Sequence, residues 1–174
     1  MTKQKLTKWY YNNLKVNNWN LYVAVSEQSV TFIGSNNKGF NELESWLKKK
    51  RPNILLIADQ EGKTNLVMEQ LTEYLMGKRT FFTLAFDFTG TSFQKKVWAE
   101  VAKIPYGTTT CYADIAQKIG RPQAMRAAGT AIGNNAITIL VPCHRVLGKN
   151  NALRGYRGGG LEMKASLLQL ENIW

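Results

Sequence analysis

The sequence predicts an α/β chain of the α+β kind, and three observations point there. Apolar residues alternate between positions 20 and 35, the pattern of half-buried antiparallel strands. Beyond residue 91 the apolar period becomes helical, with short helices separated by Pro and Gly. An apolar, β-branched run, Ile137-Thr138-Ile139-Leu140-Val141, then leads through Pro142 into a cysteine and the single histidine of the chain. The expected organisation is a small N-terminal sheet-plus-helix domain over 1–88 in a supporting role. A mostly helical C-terminal domain over 89–174 follows, with a helix-turn-helix of winged-helix-like outline.

Within the first part, Leu21, Val23 and Val25 alternate with Tyr22, Ala24 and Ser26. A polar Glu27-Gln28 turn and the run 30–33 complete a hairpin. Residues 40–50 carry Leu43, Trp46 and Leu47 on one stripe of an amphipathic helix. Lys48-Lys49-Lys50-Arg51 falls at its C-terminus, where cations suit the helix dipole; a solvated helix end is preferred there to a phosphate contact. Pro52 closes the helix and 54–57 has the length of a strand. The spacing of Leu66, Val67, Gln70, Leu71, Tyr74 and Leu75 makes 63–76 helical, with Gly77 as its C-cap. Residues 81–88 read as extended, and Thr89-Gly90-Thr91 breaks them.

In the second part, Thr91 or Ser92 caps a helix through Phe93, Val97, Trp98, Val101 and Ile104. Pro105-Tyr106-Gly107 is a turn, since Pro sets φ and Gly supplies positive φ. Residues 112–119 form a short helix with Ile115, Ala116 and Ile119 inward. Pro122 suits the first turn of the next helix, 123–132. Two short helices across a Gly-containing turn outline a helix-turn-helix. The second is rich in small residues (Ala124, Ala127, Ala128, Gly129, Ala131), which serves either a close backbone approach to another surface or tight core packing. Arg126 stands beside them as one large cation. The run 137–141 is expected to be a buried strand, stopped by Pro142, which has no N–H to donate. Residues 148–160 form a glycine-rich loop with Arg154, Tyr156 and Arg157, without a phosphate-binding fingerprint. Residues 161–174 close the chain as a helix with Met163, Leu167, Leu168 and Leu170 apolar.

Composition narrows the function. The 44% apolar fraction of this 174-residue chain suits a globular core. No apolar run approaches a membrane span, and the first residues lack a signal-peptide core, so a soluble cytoplasmic protein with no membrane partner is expected. Cys111 and Cys143 are expected to be free thiols. With one His they cannot close a four-ligand zinc site, so no metal is expected. A net charge of +11, spread over both halves, favours a polyanionic partner, nucleic acid before membrane.

Cys143 beside His144 provides the minimum parts of an activated sulfur nucleophile. A free thiol is only about a few per cent thiolate at neutral pH, so a base or cation must supply the reactive form, and His144 and Arg145 are at hand. The plainer alternative is a small buried hydrophobe. Neighbours on an extended strand also point to opposite faces, so the pair requires a turn.

The stretch from 81 to 171 resembles the O6-alkylguanine-DNA alkyltransferases (methylated-DNA–protein-cysteine methyltransferases). The resemblance is carried by Ser92-Phe93-Gln94 through Val97-Trp98, Ile104-Pro105-Tyr106-Gly107-Thr108, and Tyr112 with its helix. It continues through Arg126-Ala127-Ala128-Gly129, Asn135, Val141-Pro142-Cys143-His144-Arg145-Val146 and Gly155-Tyr156-Arg157-Gly158-Gly159. Each motif alone is weak; in this order and spacing they are highly specific. The N-terminal part matches only in length and strand and helix character.

The resemblance implies direct-reversal DNA repair: irreversible, single-turnover transfer of an alkyl group from guanine O6 in double-stranded DNA to Cys143. No cofactor is implied, because the protein is itself the acceptor. His144 would take the thiol proton through a water, Glu171 would orient His144, and Asn135 would stabilise the turn that holds the cysteine. Tyr112 would press on the target phosphate and donate to the base. Arg126 would replace the extruded nucleotide, with Ala127 and Gly129 on the helix that approaches the minor groove. Val146, Leu153, Tyr156 and Arg157 would wall the guanine pocket. A monomer is expected, with cooperativity along DNA left open. The loop after Tyr156 is one residue longer than in some members. Arg154 sits where a smaller residue is common, which bears on the alkyl groups that fit.

Three other readings compete. A non-enzymatic relative class flags alkylated DNA with tryptophan in place of the cysteine, which Cys143 opposes. A helix-turn-helix regulator fits the charge and leaves Pro142-Cys143-His144-Arg145 unexplained. A cysteine hydrolase normally draws its Cys and His from distant segments.

Overall fold

The computed structural model describes residues 7–156 and 160–174. Its sheet is centred on a strand that periodicity did not reveal, β1 (Thr7–Val16). Trp9, Tyr10 and Leu14 of β1 are buried, but Asn12, Asn13 and Lys15 interrupt the alternation. The Asn13 amide is satisfied by Asn20 Oδ1 at 2.8 Å and the Leu21 carbonyl at 3.1 Å, which lets a polar residue sit mid-strand. β1 pairs antiparallel with β2 (Trp19–Val25) and parallel with β4 (Ile54–Ala58). β2 pairs antiparallel with β3 (Val30–Ile33), as the hairpin reading expects, and the sheet order is β3-β2-β1-β4.

Each face of this sheet is covered. Helix α1 (Phe40–Lys50) packs Leu43 on Ala24 and Phe32, with Trp46 against them. On the other face, Leu14, Leu21, Val23 and Val25 meet Val67, Leu71, Tyr74 and Leu75 of α2 (Asn65–Leu75). Residues 81–88 form no ladder strand. They make one bridge, Val30 to Phe86, and lay Phe82, Leu84, Phe86 and Phe88 on the core as a strap.

The strap leads into α3 (Ser92–Val101). Thr91 is its N-cap, and Gln94 reaches back to the Thr91 N–H in a capping box. α4 (Tyr112–Lys118) and α5 (Met125–Gly133), joined through a 3-10 turn at Pro122–Ala124, form the helix-turn-helix. Trp98 of α3 donates from its indole to the Ala131 carbonyl of α5 at 2.7 Å. β5 (Thr110–Cys111) pairs parallel with β6 (Val146–Leu147). One hydrophobic core runs without a break from Tyr10 and Val23 through Trp98 and Ile132 to Leu167.

Two expected elements differ. The run 137–141 is a knot of turns rather than a strand. The Leu140 N–H donates to the Thr138 carbonyl, the Val141 N–H to Ile137, and Ile139 stands at φ 69°. Ile33 offers a single bridge at Ile137, and the Thr138 hydroxyl turns to the Ile33 and Gly34 carbonyls, so no ladder can extend. A β-branched residue at positive φ is a strained conformation held by its surroundings. The last helix, α6 (Gly160–Leu170), also stops short of the expected 174. Asn172 at φ 56° turns the chain, and the Ile173 N–H bonds back to the Leu168 carbonyl at 2.9 Å. Glu171 therefore lies just past the helix and faces inward.

Candidate active site

Cys143 opens a 3-10 turn, Cys143–Arg145, in place of the strand end that its sequence suggests. Asn135 holds this turn from below. Its side-chain amide donates to the Val141 carbonyl at 2.8 Å and to Cys143 Sγ at 3.2 Å, while its oxygen accepts the Ile137 N–H at 2.9 Å. One side chain thus closes the knot and touches the sulfur. Cys143 is only 4% exposed. Burial pushes its pKa up, against contacts with Asn135, Lys164 and Tyr156 that favour the thiolate.

The 3-10 turn sends His144 and Arg145 together into the core, where both meet Glu171. His144 Nε2 lies 2.8 Å from Glu171 Oε1. A carboxylate only accepts, so Nε2 carries the ring proton and Nδ1 keeps its lone pair. Nδ1 is buried and has no protein partner among the described residues. Burial lowers the His144 pKa, opposed by Glu171, so the neutral, basic ring is favoured. Arg145 does not serve the thiol, as adjacency had suggested. Its Nε and Nη2 grip Glu171 at 2.9 and 2.8 Å, and Nη1 donates to the Ile104 carbonyl.

Glu171 also accepts the Gly107 N–H at 3.1 Å and the Tyr74 hydroxyl at 2.5 Å. Gly107, at φ 74°, adopts the left-handed turn that the Pro105-Gly107 spacing predicts, and this turn aims its N–H inward. Burial opposes the Glu171 charge, yet the hydrogen bonds from His144, Arg145 and Tyr74 prevail and hold it down to about 2. It is ionised under any working condition.

Sequence reasoning missed Lys164. It is fully buried on α6 and donates to the Val146 carbonyl at 2.5 Å and the Arg154 carbonyl at 3.0 Å. Burial brings it down to about 8, with Cys143 pulling the other way. The available signal was its place on the apolar stripe with Met163, Leu167 and Leu168.

The other anticipated residues form a second region. Tyr112, Arg126 and Gly129 line one cleft of about 720 Å³, together with Met125, Gly148 and Gly155. Arg126 and Ala127 are exposed on α5. The Tyr112 hydroxyl donates to the Arg154 carbonyl at 2.8 Å, and its ring lies 5.9 Å from Lys164 Nζ, which links the cleft to the buried polar groups near Cys143. Tyr156 is buried, with its hydroxyl beside the Cys143 thiol and no well-formed hydrogen bond among the described residues. Val146 is wholly in the core and offers only its carbonyl, which Lys164 holds. Leu153 is half-buried between β6 and α6. Arg157 lies outside the described residues. Among those residues, no helix is long and apolar enough to cross a membrane.

Comparison with known proteins accounts for almost the whole chain. A family model described as the ribonuclease-like domain of 6-O-methylguanine DNA methyltransferase matches residues 9–88. The DNA binding domain of the same description matches 92–173. The inducible methylated-DNA–protein-cysteine methyltransferase of Bacillus subtilis is 47% identical, covering 93% of this chain and 89% of its own length. The constitutive one of the same organism is 40% identical over 94% and 96%. The crystal structure of Mycobacterium tuberculosis OGT in complex with DNA matches with a TM-score of 0.79 and 35% identity, over 93% of this chain and 92% of that one.

Proposed function

This chain belongs to the 6-O-methylguanine DNA methyltransferase family, and we propose that it transfers the alkyl group of O6-alkylguanine in duplex DNA to its own Cys143. The observation that carries the proposal is the relay of Asn135, Cys143, His144 and Glu171. The nucleophile is oriented by an amide, and the neighbouring imidazole has Nε2–H fixed on a carboxylate, which leaves Nδ1 as the base.

His144 Nδ1 takes the thiol proton through a bridging water, and Glu171 stabilises the resulting imidazolium. The thiolate attacks the alkyl carbon. A carbon–sulfur bond forms, the bond to O6 breaks with its electron pair on the purine, and the purine takes up one proton as guanine, in balance with the one His144 received from the thiol. The thioether has no route back, so each molecule acts once and no cofactor takes part.

A base within a duplex is out of reach of a buried thiol, so it must be flipped out, at a cost of roughly a few kcal/mol. Arg126 fills the gap it leaves. Ala127 and Gly129 allow α5 a close approach in the minor groove, and Tyr112 presses on the target phosphate. Leu153 and Tyr156 wall the guanine pocket. The +11 charge supplies affinity that does not depend on sequence, which suits a search for lesions. We take the protein to act in the cytoplasm, as a monomer, with residues 1–88 in a supporting role.

Intact-protein mass after incubation with a duplex bearing O6-methylguanine, followed by peptide mapping, is the direct test. One methyl group per protein on Cys143 is the expected result, and Cys143→Ala should bind the duplex without gaining mass. Methyl transfer by that variant, or no transfer by the wild type while it binds the lesion, would overturn the proposal.

A further inference from the structure

Helix α2 reaches from the N-terminal part and sets one phenol inside the relay of the C-terminal part. Tyr74 is fully buried. Its hydroxyl donates to Glu171 Oε1 at 2.5 Å and lies 3.4 Å from His144 Nε2. Phe82 and Tyr106 hold the ring, with centroids at 5.3 and 6.2 Å. One turn earlier, Gln70 ties α2 to the strap in both directions: its amide donates to the Thr83 hydroxyl at 2.7 Å, and the Thr83 N–H returns to it at 2.9 Å.

Phenylalanine would fill the same space. The hydroxyl is the part that packing does not require, and it lands on the one oxygen that also receives the His144 proton donor. Oε1 is shared by Tyr74, His144 and Arg145. Each added donor disperses the carboxylate charge and weakens its hold on any other. We propose that Tyr74 is a positioning residue for alkyl transfer, contributed by the N-terminal part, which sets the basicity of His144 by sharing Glu171 Oε1 with it. This rests on the reading of Cys143 and His144 given above, and it extends that reading by giving residues 1–88 a direct part in the chemistry.

The groups that face the imidazole are Glu171, Arg145, Lys164 and Tyr74. Arg145 and Lys164 disfavour its protonation and Glu171 favours it. Tyr74 moderates Glu171. Without the hydroxyl, charge concentrates on Oε1 and the imidazolium gains stability. His144 then stays protonated to higher pH and cannot take the thiol proton there.

The experiment is single-turnover transfer measured from about pH 5 to 9, the range in which histidine titrates. Wild type, Tyr74→Phe and protein with 3-fluorotyrosine at position 74 are compared, with duplex affinity and melting temperature measured alongside. Tyr74→Phe is expected to move the acid limb of the rate profile to higher pH and to slow transfer several-fold near neutrality. The fluorinated phenol is a stronger donor and should move the limb the other way. Duplex affinity should be the same in all three. Superimposable profiles, or a loss by the same factor at every pH, would overturn the role of Tyr74 while leaving the transfer reaction intact. A wild type that transfers nothing would instead sink the functional reading. If Tyr74→Phe fails to fold, the fluorinated protein decides alone, and an unmoved limb overturns the proposal.

Discussion

The relay and the cleft lie a few residues apart in sequence and are built on opposite terms. Around Cys143 the polar groups are interlocked and mostly buried: half-buried Asn135 on the sulfur, His144 and Arg145 on Glu171, and Lys164 on two carbonyls. Around α5 the surface is open, small-featured and cationic, with Arg126 and Ala127 exposed. Reacting atoms need a fixed geometry and exclusion of water, which a close-packed interior supplies. A surface that must accept any duplex sequence needs charge and little relief. The difference implies that damage to the relay should cost stability and chemistry together, whereas damage to the cleft should cost recognition alone.

The hardest test of that separation is Glu171→Gln. It removes the charge that the buried Arg145 guanidinium depends on and that fixes the His144 ring, and should destabilise the protein by about 3–5 kcal/mol in urea titrations while suppressing transfer. In the wild type, Glu171 is held at about 2 against roughly 4.3 unfolded, so its contribution is complete above the ordinary carboxylate range and fades as pH falls toward 2. The variant should lose that acid dependence.

Lys164→Met comes next. Lys164 is held at about 8 in the fold, so between there and its unfolded value near 10.4 the unfolded chain carries more protons and stability rises with pH. The wild-type unfolding free energy, relative to the variant, should climb by about 3 kcal/mol across that window. A flat difference would show that the ammonium is solvated and not part of the interior.

Asn135→Ala leaves the Ile137 N–H unpaired and takes one of two donors from the Val141 carbonyl, which keeps the Cys143 N–H, and is expected to cost roughly 1–3 kcal/mol, with slower transfer. Arg126→Ala should stand at the other end. Its unfolding midpoint should stay within about 0.5 kcal/mol of wild type. Transfer should slow on duplex DNA and remain unchanged with the free alkylated base. An equal loss on both substrates would erase the distinction between the two regions.

Helical periodicity and turn chemistry made much of the fold legible. α1 lies where Leu43, Trp46 and Leu47 predict, and the Pro105-Gly107 turn has the backbone that its glycine requires. β1 was hidden because Asn12, Asn13 and Lys15 break its period, and the compensation of Asn13 by Asn20 and Leu21 exists only once the sheet has formed. Residues 137–141 have the composition of a strand, but the fold offers them one bridge and an asparagine clamp in place of a partner. Cys143 and His144 were visible as neighbours, whereas Glu171 and Asn135 came into view only through family resemblance. Tyr74 and Lys164 were passed over because a periodic stripe marks which residues turn inward without telling what their polar ends will meet.

The near-complete enclosure of Cys143 bears on the molecule after it has acted. The residue is 4% exposed, and its sulfur is bounded by Asn135 and the Tyr156 hydroxyl. An interior this tightly fitted has little slack for an added carbon, and inserting one typically costs about 1–3 kcal/mol. The amide of Asn135 would meanwhile face a thioether, a poorer acceptor than the thiolate it was placed to receive. A completed repair is thus expected to loosen the packing around Cys143, which would distinguish the spent form from the unreacted one by a lower melting temperature.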